Sequence, residues 1–220
     1  MKKIILLALF IILSSFIFAG CSESGEPFEK RSYTPDIQIK EIDLDVQDRE
    51  IEVSVSEDDQ IHIDYFENSK ETYEITVSDD NVLTMTSADS KTWTDYIGGK
   101  PSAENRKIFL HIPDALLDTV SLSKTNENIS LVPLNVAGSV SVSSNGGDIA
   151  FDGLGAGKAI NLTVKNGDIS GTIAGGYDDF AIKSEIKKGE SNLPKNKDGG
   201  EKTLNVSANN GDINVELKAE

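Results

Sequence analysis

Asp148, Asp168, Glu190 and Asp212 each follow a glycine, and three of the four stand directly before an isoleucine. The steps are Gly147-Asp148-Ile149, Gly167-Asp168-Ile169 and Gly211-Asp212-Ile213, with Gly189-Glu190-Ser191 as the variant. Carboxylates that recur in this way could gather oxygens around Ca²⁺, cleave a glycosidic bond as an acid–base pair, or accept backbone N–H bonds in their own turns. No Asp-x-Asp-x-Asn-Gly loop or glycine-rich nonapeptide array accompanies them, and those are the specific signals of calcium sites. The structural reading is therefore preferred: each acid serves its own turn, and neither a metal nor another cofactor is expected.

The remaining chemistry-bearing residues are few. His62 and His111 are the only histidines, each on the polar side of an alternating run, so both are expected to face solvent. There is no His-x-x-x-His, no Gly-x-Ser-x-Gly and no Cys–His pair, which leaves nucleophilic and metal-assisted catalysis without a motif; the chain is expected not to be an enzyme. Trp93 and Tyr96, with Gly98-Gly99 beside them, sit in the one long irregular stretch, "KTWTDYIGGKPSAEN". An aromatic cluster on a loop is a contact point for a sugar or a protein partner, against the plainer expectation that Trp93 folds back on the core.

Cys21 is the only cysteine, so no intramolecular disulfide or multi-thiolate site exists. It closes residues 1–21, which read as a targeting segment. Lys2 and Lys3 precede an apolar run from Ile4 to Phe18, shorter than the roughly 20 residues that span a bilayer, and Phe18-Ala19-Gly20-Cys21 is similar to the bacterial lipoprotein signal. The expectation is a thiol that carries acyl chains such as palmitate and holds the protein on the extracytoplasmic face of the cell membrane, each buried methylene contributing about 0.8 kcal/mol. A general secretory cut or an uncleaved anchor is the alternative. Residues 22–35, "SESGEPFEKRSYTP", carry two prolines and no apolar period and are expected to form a flexible tether. The formal charge of the whole chain is −16, and without the two lysines of the leader it is −18. Such a surface repels nucleic acid, whose phosphates require clustered Lys and Arg.

Residues 36–220 are expected to form one all-β domain. Ile42, Leu44, Val46, then Ile51, Val53, Val55, then Ile61, Ile63, Tyr65 alternate with polar residues, the pattern of half-buried strands. Aligning Ile129, Ile149, Ile169, Ser191 and Ile213 gives spacings of 20, 20, 22 and 22 residues. A fixed period whose unit is too small to bury its own apolar face marks a solenoid. The fold expected is thus a β-solenoid, similar to a single-stranded β-helix, with coils of about 20–22 residues stacked roughly 4.8 Å apart; a Greek-key β-sandwich is the alternative. Asn-Gly steps give each coil a cheap positive-φ corner. Asn145, Asn166 and Asn210 would stack as an amide ladder, which Asn126 and Asn192 could join only in a shifted register.

With the lipobox, the alternating N-terminal strands, "IFLHIP" ending at Pro113 and the "NGGDI" and "NGDI" units in place, the sequence resembles the bacterial "putative adhesin" family of β-strand-repeat proteins over about Asp36 to Leu217. The resemblance implies a β-solenoid-like cell-surface protein with no established enzymatic activity, as a lipoprotein member of that family. Its partners would be the membrane, through the lipid anchor, and an envelope glycan or partner protein. Two alternatives stay open: a modulator of a membrane envelope-stress signalling system, and a polysaccharide-acting β-helix enzyme. Ser191 and the Trp-bearing insertion depart from the family pattern, the first in the fourth unit and the second on one face.

Overall fold

The computed structural model describes residues 26–89 and 101–219. Alternation does what period-two patterning requires: along β2 to β18 the apolar side chains turn inward and polar ones outward. Sheet A holds β1 (Glu29–Tyr33), β3 (Glu50–Val55), β4 (His62–Glu67), β7 (Lys107–Ile112), β9 (Ile129–Leu131), β10 (Leu134–Val136), β12 (Ile149–Ala156), β14 (Ile169–Ala174) and β18 (Ile213–Lys218). Sheet B holds β2 (Glu41–Val46), β5 (Tyr73–Val77), β6 (Val82–Ser87), β8 (Thr119–Lys124), β11 (Ser139–Ser144), β13 (Ala159–Asn166), β15 (Phe180–Lys188), β16 (Asn196–Lys197) and β17 (Lys202–Asn210). Both sheets are open, and their inward side chains join in one hydrophobic core, with Leu44, Val120 and Ile160 from sheet B meeting Ile51, Ile149 and Ile169 from sheet A. The fold is all-β; among the described residues the only helical pieces are two three-residue 3₁₀ turns.

The long ladders are parallel and in register. Val120, Val140 and Ile160 stand side by side in sheet B, and Ile129, Ile149 and Ile169 do so in sheet A. Neighbouring passes thus set apolar residues beside apolar ones in these inward rows, while the row Val46, Lys124, Ser144, Val164 carries two buried polar residues.

The stacking order, however, is not the chain order. Sheet B runs β16-β15-β17-β13-β11-β8-β2-β6-β5, so the C-terminal pass β17/β18 lies between β13/β14 and β15. Ile160 pairs with Leu204, and Leu204 pairs with Ile182 on its other side. At the opposite end β2/β3 lies between β6/β7 and β8/β9. The acids of the repeated steps therefore stack in the order 148-168-212-190 and not in the chain order 148-168-190-212. The physical reason is that equivalent passes carry the same inward pattern, so periodicity defines which residues can stack without defining which pass sits beside which.

The expected tether also ends earlier than residue 35. Glu29–Tyr33 forms β1, antiparallel to β4 at the edge of sheet A. It is held by polar contacts: Lys30 Nζ lies 2.8 Å from Asp64 Oδ2, Arg31 Nε 3.0 Å from Glu67 Oε1, and the Ser32 hydroxyl donates to Asp64. A strand attached by ion pairs instead of apolar alternation leaves no periodic trace in the sequence.

Candidate functional site

The repeated Gly-acid-Ile steps lie at the corner where the chain leaves sheet B for sheet A. There the acids form a ladder. Asn128 Oδ1 accepts the Asp148 N–H at 2.9 Å, Asp148 Oδ1 the Asp168 N–H at 2.9 Å, Asp168 Oδ1 the Asp212 N–H at 2.8 Å, and Asp212 Oδ1 the Glu190 N–H at 2.8 Å. The backbone answers in the other direction: Ile129, Ile149, Ile169 and Ile213 donate to the carbonyls of Asp148, Asp168, Asp212 and Glu190. The expectation that each acid caps its own turn is thus corrected. Its oxygen serves the adjacent pass, because a short Asx side chain pointing along the stack spans the distance of about 4.8 Å between strands.

The glycine before each acid allows this close approach. Gly211 has φ of +138°, and a Cβ there would lie 1.9 Å from the Gly167 carbonyl oxygen. The first unit has Glu127 at the equivalent place, with φ of +76°, and its carboxylate pairs with Arg106. Asn166 Nδ2 donates to the Asn145 carbonyl at 3.1 Å and Asn210 Nδ2 to Asn166 Oδ1 at 2.8 Å, so these three asparagines stack as a second column. Asn126 instead donates to Asp48. Asn192 leaves the column altogether: its amide takes the Val215 N–H at 3.0 Å and gives one to the Val215 carbonyl at 2.9 Å, closing part of the free edge of β18.

Lys124 lies at the inner side of this corner, 2% exposed. Its ammonium donates to Ser144 Oγ at 2.9 Å, to the Gly146 carbonyl at 2.8 Å and to the Glu127 carbonyl. Burial pushes its pKa down to about 8, with Glu127 and Asp148 opposing the shift. Arg49, also 2% exposed, pairs with Glu71 at 2.6 Å and donates to the Tyr73 hydroxyl. Both cations are held by the fold, and sequence gave no sign of either.

The outer face of sheet B carries rows of small polar side chains. One row runs Thr84, Asp43, Ser121, Ser141, Asn161, Asn205, Lys183. Within it Asn205 Nδ2 donates to Asn161 Oδ1 at 2.8 Å, and Asn161 Nδ2 to Ser141 Oγ at 3.2 Å. A second row runs Ser123, Ser143, Thr163, Ser207. These faces are shallow, and the hollow over Thr163, Lys183 and Asn205 encloses about 260 Å³.

On the outer face of sheet A, His62 and His111 are directly opposed across β4 and β7. Both are half-buried and engaged, not simply solvent-facing as expected. His111 Nδ1 shares a hydrogen bond of 2.6 Å with Ser54 Oγ, and His62 bonds Asp58 and Thr34, each at 2.9 Å. The bonds from His62 and the Gln60 N–H hold the Asp58 carboxyl below its ordinary range. Ser54 and His111 are 57 residues apart, and only the parallel pairing of β3 with β7 joins them, so no local sequence signal could have shown it. Among the described residues no three His, Cys, Asp or Glu side chains are placed to hold a metal ion.

Cys21, Trp93 and Tyr96 lie outside the described residues. The insertion that carries the two aromatics returns at Pro101, whose carbonyl accepts Arg106 Nε at 3.0 Å while Arg106 pairs with Glu127. The segment from Pro101 to Arg106 is thereby fixed to the same corner as the ladder.

A protein-family model described as Toastrack DUF4097 matches residues 39–220. The solved structure of a putative cell adhesion protein from Clostridium sporogenes is 17% identical, over 88% of this chain and 100% of its own, with a TM-score of 0.61. That of a putative adhesin from Bacteroides fragilis is 15% identical over 88% of this chain and 98% of its own, with a TM-score of 0.38. No curated protein matches the sequence.

Proposed function

The chain belongs to the Toastrack DUF4097 family, and on that premise we propose that it is a non-enzymatic cell-surface protein, lipid-anchored through Cys21, that binds an envelope glycan or partner protein. The likeness in fold to a protein described as a putative cell adhesion protein supports this reading. We read the domain as a β-solenoid of coils of about 20–22 residues, for which the 20-residue offsets along β8, β11 and β13 speak.

The observation that carries the binding role is the outer face of sheet B. Hydroxyl and amide side chains stand there in rows at strand spacing on an open, shallow surface. Such a surface offers many weak hydrogen bonds to an extended, hydroxyl-rich partner, and the net charge of −16 favours an uncharged or cationic one over a polyanion. Trp93 and Tyr96, on an insertion rooted at the neighbouring corner, are the proposed aromatic contacts.

The test is retention of the purified ectodomain, residues 22–220, on cell-wall glycan and on solubilised envelope proteins. Trp93→Ala and Asn161→Lys should each weaken capture while leaving the unfolding transition in place. An ectodomain that folds and is captured by no envelope fraction overturns the binding role. Intact mass of the membrane-derived protein, with Cys21→Ala as control, tests the anchor separately.

A further inference from the structure

Three Asn-Gly steps occur in the corner turns, and the structure treats one of them differently. In the third and fifth units the sequence is Asn-Gly-Asp, at Asn166 and Asn210; in the second it is Asn145-Gly146-Gly147-Asp148, one glycine longer. The additional residue stands out of the ladder. Gly167 N–H donates to the Asn210 carbonyl at 2.9 Å and Gly211 N–H to the Lys188 carbonyl at 3.0 Å. The Asn166 and Asn210 side chains are likewise engaged, each donating through Nδ2 to the ladder. Gly146 N–H has no acceptor among the described residues, and the exposed Asn145 side chain engages none of them; Asn145 is held by its backbone alone, its N–H donating to the Lys124 carbonyl at 3.1 Å and its carbonyl accepting from Asn166.

We propose that Asn145 is a site of spontaneous, selective deamidation, with solvent water as co-reactant, while Asn166 and Asn210 are protected by the ladder. The Gly146 backbone nitrogen gives up its proton and attacks Asn145 Cγ. A C–N bond closes a five-membered succinimide, the Cγ–Nδ2 bond breaks, and ammonia leaves with that proton. Water then opens the ring at one of its two carbonyls, giving aspartate or isoaspartate at position 145. No oxidant or reductant takes part. Both requirements of the first step, a free backbone N–H and a side-chain amide that can swing onto it, are met at Asn145 and withheld at the other two. Gly146 lacks a side chain that would hinder closure, as does any residue after asparagine that is glycine, so the difference among the three sites comes from hydrogen bonding alone.

The product alters this corner in two ways. A carboxylate joins Asp148 at the surface, and the isoaspartyl form inserts a methylene into the backbone just ahead of Gly146, whose carbonyl accepts the buried Lys124 ammonium at 2.8 Å. The modified chain is therefore more acidic and less well tied at the corner of the second unit.

The experiment uses the purified full chain, incubated folded at mildly alkaline pH and sampled over time by peptide mapping with isoaspartyl-specific methyl transfer. Conversion should accumulate at Asn145 about tenfold or more faster than at Asn166 or Asn210, the factor expected when the two others must first release hydrogen bonds of ordinary net strength. In urea the three sites should convert at similar rates, and Asn145→Gln should remove the fast phase from the folded protein. Equal rates in the folded state, a faster Asn166 or Asn210, or the same preference for Asn145 after unfolding would each overturn the proposal.

Discussion

Replacing Asp168 by asparagine separates two forces that the column of acids combines. Asp168 is flanked by Asp148, which accepts its N–H at 2.9 Å, and by Asp212, whose N–H it accepts at 2.8 Å. At a strand spacing of about 4.8 Å, each neighbouring charge repels it in water by about 1 kcal/mol, so removing the charge should relieve about 2 kcal/mol. Asparagine keeps an oxygen acceptor, but a neutral one is about half as strong as a carboxylate, a loss of about 1 kcal/mol. The net expectation for Asp168→Asn at low ionic strength is about 1 kcal/mol of stabilisation. At about 1 M salt the Debye length falls to about 3 Å, shorter than the spacing. The repulsion is then screened, and the same substitution should destabilise by about 1 kcal/mol. Asp168→Ala removes the acceptor and leaves the Asp212 N–H without it, so at high salt it should be worse than Asp168→Asn by about 1 kcal/mol or more. Urea unfolding of the three proteins at both salt concentrations measures all four differences. If Asp168→Asn shifts stability equally at both, the charges in the column do not repel as reasoned; if the alanine variant matches the asparagine variant, the side-chain ladder contributes nothing.

Other expectations follow from buried groups and close contacts. Burial lowers the Lys124 pKa from 10.5 to about 8, so between those values the unfolded chain binds a proton that the native one lacks. Native stability should therefore rise with pH across that window, by as much as about 3 kcal/mol, and a wild-type pH profile that parallels that of Lys124→Met would refute it. Glu71→Ala leaves Arg49 buried without its carboxylate and should destabilise by about 3–5 kcal/mol in urea titration; a change below about 1 kcal/mol would place the pair outside the cooperative fold. Gly211→Ala, with a Cβ 1.9 Å from a carbonyl oxygen, should cost clearly more than Gly199→Ala, where φ is +88° and nothing lies within 4 Å of the added carbon. The second should show only the backbone term of about 1–2 kcal/mol, and equal losses on thermal unfolding would mean that the corner can open to admit a methyl.

Alternation of side chains made most strands legible, because a half-buried strand has to place its apolar residues at every second position. Ile42-Leu44-Val46 and Ile51-Val53 are found inward in β2 and β3 as that rule requires. The corner glycines were legible for a related reason, since a positive φ at close approach leaves little choice of residue. What could not be read were contacts between residues far apart in the chain whose partners are set by stacking order. Ser54 with His111 and Arg49 with Glu71 are of this kind, and so is the use of each acid by the neighbouring turn. β1 has no alternating signature because Lys30 and Arg31 hold it with ion pairs to β4, and these carry no period.

The exchange of the last two passes accounts for the one unit that lacks the isoleucine step. In chain order the fourth unit is internal, and Ser191 in place of isoleucine looks like a defect. In space that unit is terminal: β17 and β18 separate it from β13 and β14, and beyond β15 lies only the two-residue β16. An outermost pass has no further apolar row to match, and polar terminal units are what keep repeat proteins from stacking onto one another. Ser191 bonds Ser184 at 2.9 Å, a polar pair where the inner passes have Ile213 and Val206 buried. Asn192 then occupies part of the β18 edge with its side chain, and Lys187 and Lys188 charge the end of β15. Edges are guarded in these ways to prevent added strands. A unit degraded in its apolar step and enriched in polar clamps is suited to the end of the stack, and the C-terminal pass, which keeps Gly211-Asp212-Ile213 intact, is suited to the interior position it takes.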